Sequence, residues 1–329
     1  MKISFSRFFN RLFFRRFIQS IILILLLIVI NFFLIHLAPG DPVTYLAGQS
    51  GDEPYYALIR AKFGLDQPLT TQLWIYLSSV FRGDLGYSLS YQQPVSMVIF
   101  SRVPATLMLV SSAVFWASIA GVLLGVEAAR RENSFYDRLF NTFALLGHSF
   151  PSFSIGHLLL LFFALYLGLF PAQGFVSANA DLTGADYFFD LLAHLALPAA
   201  TLAIVQIAQI MRLTRTEMLG VLNENYITTA RAKGVSERKV LYAHALRNAL
   251  LPVITIIGSD LGMLLSGAVL TETVFAYPGL GRLTLEVLAA RDYPVLMGLF
   301  LLISVSVVVV NFLTDMIYPL VDPRIKYRR

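Results

Sequence analysis

The amino-acid sequence predicts an all-α, polytopic membrane protein with six transmembrane helices. Three observations carry that expectation. Hydrophobic side chains make up 57% of the 329 residues and charged ones only 14%, whereas a soluble domain carries roughly 25% charged residues to face water. The apolar residues fall into blocks long enough to cross about 30 Å of hydrocarbon as helices. Basic residues crowd into every second connection between those blocks, the asymmetry of a chain that crosses a bilayer repeatedly. A β-barrel needs short alternating segments, and runs such as IILILLLIVI do not alternate.

The first block, 17–40, holds 24 residues without a charge, and a helix is expected over about 17–38. Lys2, Arg7, Arg11, Arg15 and Arg16 precede it as a basic arm over 1–16. Arm and block resemble a secretory signal, but the block is long enough to span and no clear small-residue cleavage site precedes Pro39 and Gly40. The second span, 103–126, is again 24 uncharged residues. Within it Gly121 and Gly125 are spaced for close helix packing, a common pattern of low specificity. Uncharged sequence then runs for 42 residues over 139–180, too long for one ordinary span. Gly168, Pro171 and Gly174 are expected to end the third helix, leaving about 140–167 in the membrane with a bend at Pro151. The fourth span, about 191–211, has 21 uncharged residues. The fifth, about 249–270, is interrupted only by Asp260, and the sixth, about 293–317, only by Asp315. All six belong to one domain over 17–329.

Charge orients the bundle. The arm, the 127–138 and 212–247 loops and the tail after 321 hold 19 of the 25 Lys and Arg residues with seven acids. The opposite connections hold six basic residues and eleven acids. The positive-inside rule therefore puts both termini in the cytoplasm, and an even number of crossings agrees. The formal charge of +5 is divided among these loops, so membrane lipid is an expected partner and nucleic acid is not. The absence of cysteine excludes thiol nucleophiles, disulfides and thiolate metal sites.

Two connections are long. The external segment 38–102 contains two pieces with the apolar spacing of short helices, YYALIRAKFGL and LTTQLWIYLSSV, with Gly64 and Gly83 as stops. It reads either as a small cap over the bundle mouth or as an ordered connector. The cytoplasmic loop 212–248 has room for two short helices and is too polar to span. One is expected over 226–233, ended by Gly234; the other begins near Glu237 with Ser236 as its cap. Arg231, Lys233, Arg238 and Lys239 surround the pair. Such a unit is either a knob that fits a groove in a cytoplasmic partner or a basic loop lying on anionic headgroups.

Other polar residues have more than one reading. Asp260, inside a span, suits a translocation path, as does the nearby Ser266; it suits equally well internal pairing with Ser259, Ser266 or a second subunit. Asp315 is expected to anchor at the interface or pair with Arg324. The external TETVFAYPGLGR segment offers Glu272, Tyr277 and Gly279 as an outer gate or a surface for an extracytoplasmic protein, or it is a folded connector. His148 is expected to satisfy backbone groups at the Pro151 bend, and His36 and His194 to lie at outer interfaces. With no H-E-x-x-H pattern, no metal site is expected. No GxxxxGK[ST] phosphate cradle and no nucleophile–base set occur, so the chain is expected to bind no cofactor and to catalyse nothing alone.

The stretch YITTARAKG followed by HALRNALLPV is similar to the coupling loop of membrane permease subunits of bacterial binding-protein-dependent ABC importers, in the dipeptide, oligopeptide and nickel branch. That family's loop signature opens Glu-Ala-Ala, then three residues and Gly. Here Ala230 and Gly234 keep the pattern, while Thr228 and Thr229 depart from its first two positions. Pro252 follows Gly234 by 18 positions, longer than the general spacing. HLAPGDP at 36–42, FRGDLGYS at 81–88, LLGHSFPSF at 145–153, TETVFAYPGLGRL at 271–283 and DPRIKY at 322–327 extend the resemblance over essentially the whole chain.

The resemblance implies the type I ABC importer permease fold in a bacterial inner membrane. It implies a distinct second permease subunit, two cytoplasmic ATPases carrying ATP and Mg, and an extracytoplasmic solute-binding protein. It assigns Glu224, Tyr226, Thr228, Ala230, Arg231, Gly234, Glu237 and Arg238 to ATPase coupling. The departure at Thr228 removes whatever ion pair a Glu would make there. Small peptides fit the branch most directly; nickel or a nickel chelate is the related alternative. A stand-alone secondary transporter or channel is the alternative from another class.

Overall fold

The structure, a computed structural model, describes residues 2–37, 43, 52–63, 67–88, 90–177, 182–265 and 268–321. Ser266, Arg324, the DPRIKY stretch and the side chains of His36 and His148 lie outside the described residues. Among those described, the fold is all-α apart from one short antiparallel ribbon, β1 (Tyr87–Ser88) against β2 (Gln93–Pro94).

The chain opens with α1 (Lys2–Leu37), then α2 (Glu53–Phe63), α3 (Leu69–Phe81), the ribbon, and α4 (Val95–Arg130). Next come α5 (Phe135–Ser149) and α6 (Ser152–Leu159), which runs on as a π-helix over Leu160–Tyr166. After α7 (Ala185–Leu222), α8 (Asn225–Ala232) and the single turn α9 (Glu237–Lys239), a π-helical segment (Val240–Ala245) leads into α10 (Leu246–Leu265). The last three helices are α11 (Val269–Val274), α12 (Leu280–Ala290) and α13 (Tyr293–Val321).

Among the described residues five helical stretches are long and apolar enough to cross a membrane: Phe13–Phe33, Val95–Arg130, Ala185–Leu222, Glu237–Gly262 and Tyr293–Met316. Phe135–Gly147 and Ser152–Tyr166 meet at 101° and make a sixth when taken as one broken span. The break has a local cause. Pro151 lacks an N–H and crowds the residue before it, and Phe150 accordingly sits in extended backbone at φ −84° and ψ 136°.

Several helices outrun their uncharged windows. The basic arm is continuous with α1, α4 starts before Arg102, and α7 runs past Arg212 and Arg215. Charge marks where hydrocarbon ends, but a helix satisfies its backbone internally and continues beyond that level.

Two compact units partition the chain. In one (Met1–Leu107, Leu265–Thr273 and Pro278–Val309), Val95 and Ile99 of α4 pack with Leu283 and Val287 of α12 and Leu299 of α13. In the other (Met108–Leu264, Val274–Tyr277 and Val310–Arg329), α4 and α7 approach closely at two glycines. A Cβ on Gly121 would stand 2.8 Å from the Ile210 side chain, and one on Gly125 would stand 2.7 Å from the Met211 carbonyl. Nothing larger fits either position. The same unit ties α5 to α7 through Asp137, whose carboxylate receives Nε of Arg215 at 2.6 Å and its Nη2 at 2.7 Å. Ser134 caps α5 by accepting the Asp137 N–H, and the Asp137 carboxylate accepts the Asn133 N–H in return. Large apolar side chains such as Leu26, Phe115 and Leu161 face outward, as they do where lipid is the solvent.

Candidate coupling and translocation sites

The 224–248 loop is built around one turn. α8 closes in a Schellman motif: the Gly234 N–H donates to the Arg231 carbonyl at 2.9 Å, and the Val235 N–H donates to Ala230 at 3.2 Å. That geometry needs a left-handed residue, and Gly234 supplies it at φ +76°. Across the turn, Arg231 Nη2 donates to Glu237 Oε1 at 2.7 Å and its Nε to Oε2 at 3.2 Å. The Arg231 guanidinium holds the Glu237 carboxyl below its ordinary pKa.

An apolar plug seats this unit. Ile227 of α8 is fully buried with Val240, Leu241, Ala245 and Ala249, against Met218 of α7 and Val126 of α4. At its far edge the Asn248 amide donates to the Tyr226 hydroxyl at 2.6 Å. Glu224 occupies the cap position of α8, and Thr228 is exposed. Ser236 stands at the start of α9, but its side chain makes no capping bond; its carbonyl accepts the Lys239 and Val240 N–H groups instead. Lys233, Arg238 and Lys239 remain on the exposed surface. The result is a braced knob with a basic tip.

Asp260 lies on α10 within an apolar stretch, and its Oδ2 is buried without a hydrogen-bond partner among the described residues. Two flanking glycines bring α10 close to α13: Gly258 abuts Thr314, and Gly262 faces Val310. A cavity of about 460 Å³ lies between α4 and α7. Its walls are Ser112 and Trp116 of α4 and Ala196, Ala199, Ala200 and Ala203 of α7, so it is apolar.

Glu272 and Gly279 come together, and Glu272 is completely buried. Thr106 Oγ1 donates to its Oε1 at 3.0 Å and the Arg282 N–H to its Oε2 at 2.9 Å. Thr106 in turn accepts the Leu280 N–H at 2.7 Å. Gly279 abuts the carboxylate, and a Cβ on Gly281 would stand 2.7 Å from Val269 Cα. The pair Glu272 and Thr106 thus caps the first turn of α12 from outside, where the unpaired N–H groups of a helix favour negative charge. Tyr277 is buried too, edge-on to Phe175 at 5.5 Å, while the carbonyl of Phe275 accepts the Gly174 N–H.

The chain matches the family described as binding-protein-dependent transport system inner membrane component over residues 121–327. The N-terminal region of such membrane components matches over residues 9–110. It is 40% identical to the dipeptide transport system permease DppB of Escherichia coli, over 92% of this chain and 94% of that protein. It is 41% identical to the glutathione transport system permease GsiC of Salmonella typhimurium, over 91% and 94%. A probable peptide ABC transporter permease of Sinorhizobium fredii is 41% identical over 95% and 98%. The chain belongs to this permease family.

The permease is therefore a multi-pass transport subunit of an inner membrane and not an enzyme. Among its described residues no group of three or more His, Asp or Glu side chains could hold a metal ion. Sequence reasoning missed two features of the permease: the Asp137–Arg215 pair and the role of Thr106 beside Glu272. His194 is buried in α7 with Nδ1 at 2.8 Å from the Asp190 carbonyl, and the Asp190 carboxylate accepts the N–H and hydroxyl of Ser177.

Proposed function

We propose that this permease forms one half of a translocation path for di- or oligopeptides and couples it to cytoplasmic ATPases through the knob at Gly234. The observation that carries the reading is the knob itself. A turn whose left-handed conformation favours glycine, clamped by Arg231 and Glu237 and plugged by Ile227, suits a handle that moves as a rigid body. The peptide substrate is inferred from the relatives named for dipeptide and peptide transport.

In this reading both termini and the 212–248 loop are cytoplasmic, and the 38–102 segment is external. A second, homologous permease subunit completes the path. Two ATPases bind ATP and Mg, close, and draw on the knob so that the path turns from inward-facing to outward-facing. An extracytoplasmic binding protein then delivers the peptide, and hydrolysis resets the path. Glu224, Tyr226, Thr228, Ala230, Arg231, Gly234, Glu237 and Arg238 form the coupling surface and its braces. Asp260 with Ser266 presents polar groups to the path. Glu272, Gly279 and Tyr277 hold the outer gate segment, with Glu272 fastening it from within instead of meeting substrate.

The test is uptake of a labelled dipeptide into vesicles carrying the permease with its ATPases, partner permease and binding protein. ATP-dependent accumulation, competed by peptides and not by nickel chelates, supports the reading. Accumulation driven by an ion gradient without ATPases, or competition by nickel chelates alone, contradicts it.

A further inference from the structure

Helix α3 lies in the part expected to project from the membrane, yet its surroundings are those of a membrane helix. Its sequence, LTTQLWIYLSSVF, contains no charged residue. Trp74 and Phe81 are seven residues, close to two turns, apart and so share one face. They are 73% and 69% exposed. Tyr76 lies on the other side and packs its ring 5.7 Å from that of Phe32 in α1.

The depth of that contact is measurable along the chain. The Asn31 amide donates to the Tyr76 hydroxyl at 3.1 Å and to the Met297 carbonyl at 3.2 Å. Asn31 is six residues inside the end of α1 at Leu37, about 9 Å at the rise of a helix. Met297 is four residues inside the start of α13, about 6 Å. Two spanning helices therefore fix the Tyr76 hydroxyl below their ends. Of the charges nearby, Arg82 follows the helix as its exposed C-cap, and Lys62 of α2 and Asp84, beyond the end of α3, pair with each other at 2.7 Å. On α1 itself Leu26, Ile30 and Phe33 face outward over the same end of the span.

We propose that α3 is an interfacial helix, with Trp74 and Phe81 inserted among lipid chains of the leaflet at the C-terminal end of α1. The apolar outer face of α1 continues onto α3, and Tyr76 tethers the helix to the bundle through Asn31. Water would leave two large aromatic rings exposed on an uncharged helix, whereas the headgroup–acyl boundary accommodates both. The 38–102 segment is thus, in part, a float that fixes how deeply this end of α1 and α13 sits.

The chain has no cysteine, so Trp74→Cys and Phe81→Cys variants each carry a single attachment point. The assembled importer, with cysteine-free partner subunits, is placed in nanodiscs of phosphatidylethanolamine and phosphatidylglycerol, and each site is spin-labelled. Relaxation by oxygen, which concentrates in acyl chains, is compared with relaxation by water-soluble chromium oxalate. The proposal expects oxygen to dominate at both positions, and chromium oxalate at a Glu53→Cys control. Dominance of chromium oxalate at 74 and 81 would overturn it, as would protection from both agents, which means that protein covers the face. The result does not depend on what the importer carries.

Discussion

Arg231 and Glu237 grip each other across the Gly234 turn with two hydrogen bonds, at 2.7 and 3.2 Å. The two residues flank the one position in the loop that is held left-handed, so the clamp and the turn fix the same tip geometry. Four expectations follow from this clamp and from two buried contacts elsewhere in the chain.

At Gly234 a Cβ would meet nothing within 4 Å. Substitution is therefore penalised through backbone conformation alone, about 1–3 kcal/mol for a β-branched residue held at positive φ. Gly234→Val should lower the ratio of peptide transported to ATP hydrolysed while membrane insertion persists. Gly234→Asn, which tolerates the left-handed region, should retain most of that ratio.

The Glu237 carboxyl titrates below its ordinary value because Arg231 pairs with it. A depressed carboxylate contributes stability above its unfolded pKa and loses it as pH falls through the folded one. The clamp is thus whole at neutral pH and lost only on acidification. Both side chains are exposed, so the effect is modest. Amide exchange around the turn should be faster in Glu237→Gln than in the parent at neutral pH, with the two proteins converging once the pH falls below the ordinary carboxylate range.

Asp137 is buried and receives both Arg215 hydrogen bonds. Removing one partner of such a pair strands the other's charge, at a cost of about 3–5 kcal/mol. Asp137→Asn should lower the thermal unfolding temperature of the purified permease more than Glu127→Gln, which breaks only surface pairs with Arg130 and Arg131.

Thr106→Val keeps the shape of the side chain and removes the acceptor for the Leu280 N–H and the donor to Glu272. Each buried group left unpaired costs about 1–3 kcal/mol. Unfolding temperature should fall for Thr106→Val and further for Glu272→Ala, which also strips the acceptor from the Arg282 N–H. Equal stability of parent and Thr106→Val would show that the helix cap is dispensable.

Much of this was legible in the sequence because single residues dictate it locally. Gly234 ends a helix by its conformation, Pro151 breaks one by its missing N–H, and uncharged blocks declare their solvent. Contacts between distant residues were not legible. Thr106 and Glu272 are 166 positions apart, and Asp137 and Arg215 are 78 apart. Nothing in either residue's neighbourhood names its partner. The helices run past the uncharged blocks for another reason: Arg102, Arg212 and Arg215 interrupt the apolar sequence without ending the helix. Among the candidate site residues, Glu272 was left open between outer gate, binding surface and folded connector because a carboxylate capping a helix ten residues away leaves no local pattern.

The central claim is that the basic tip around Gly234 is gripped by an ATPase. With a photoreactive benzoyl-phenylalanine in place of Arg238 in the assembled importer, illumination should yield an adduct with an ATPase subunit, its amount changing when ATP is bound. An adduct only with lipid or with the binding protein, or labelling of position 238 from outside intact cells, would contradict the account.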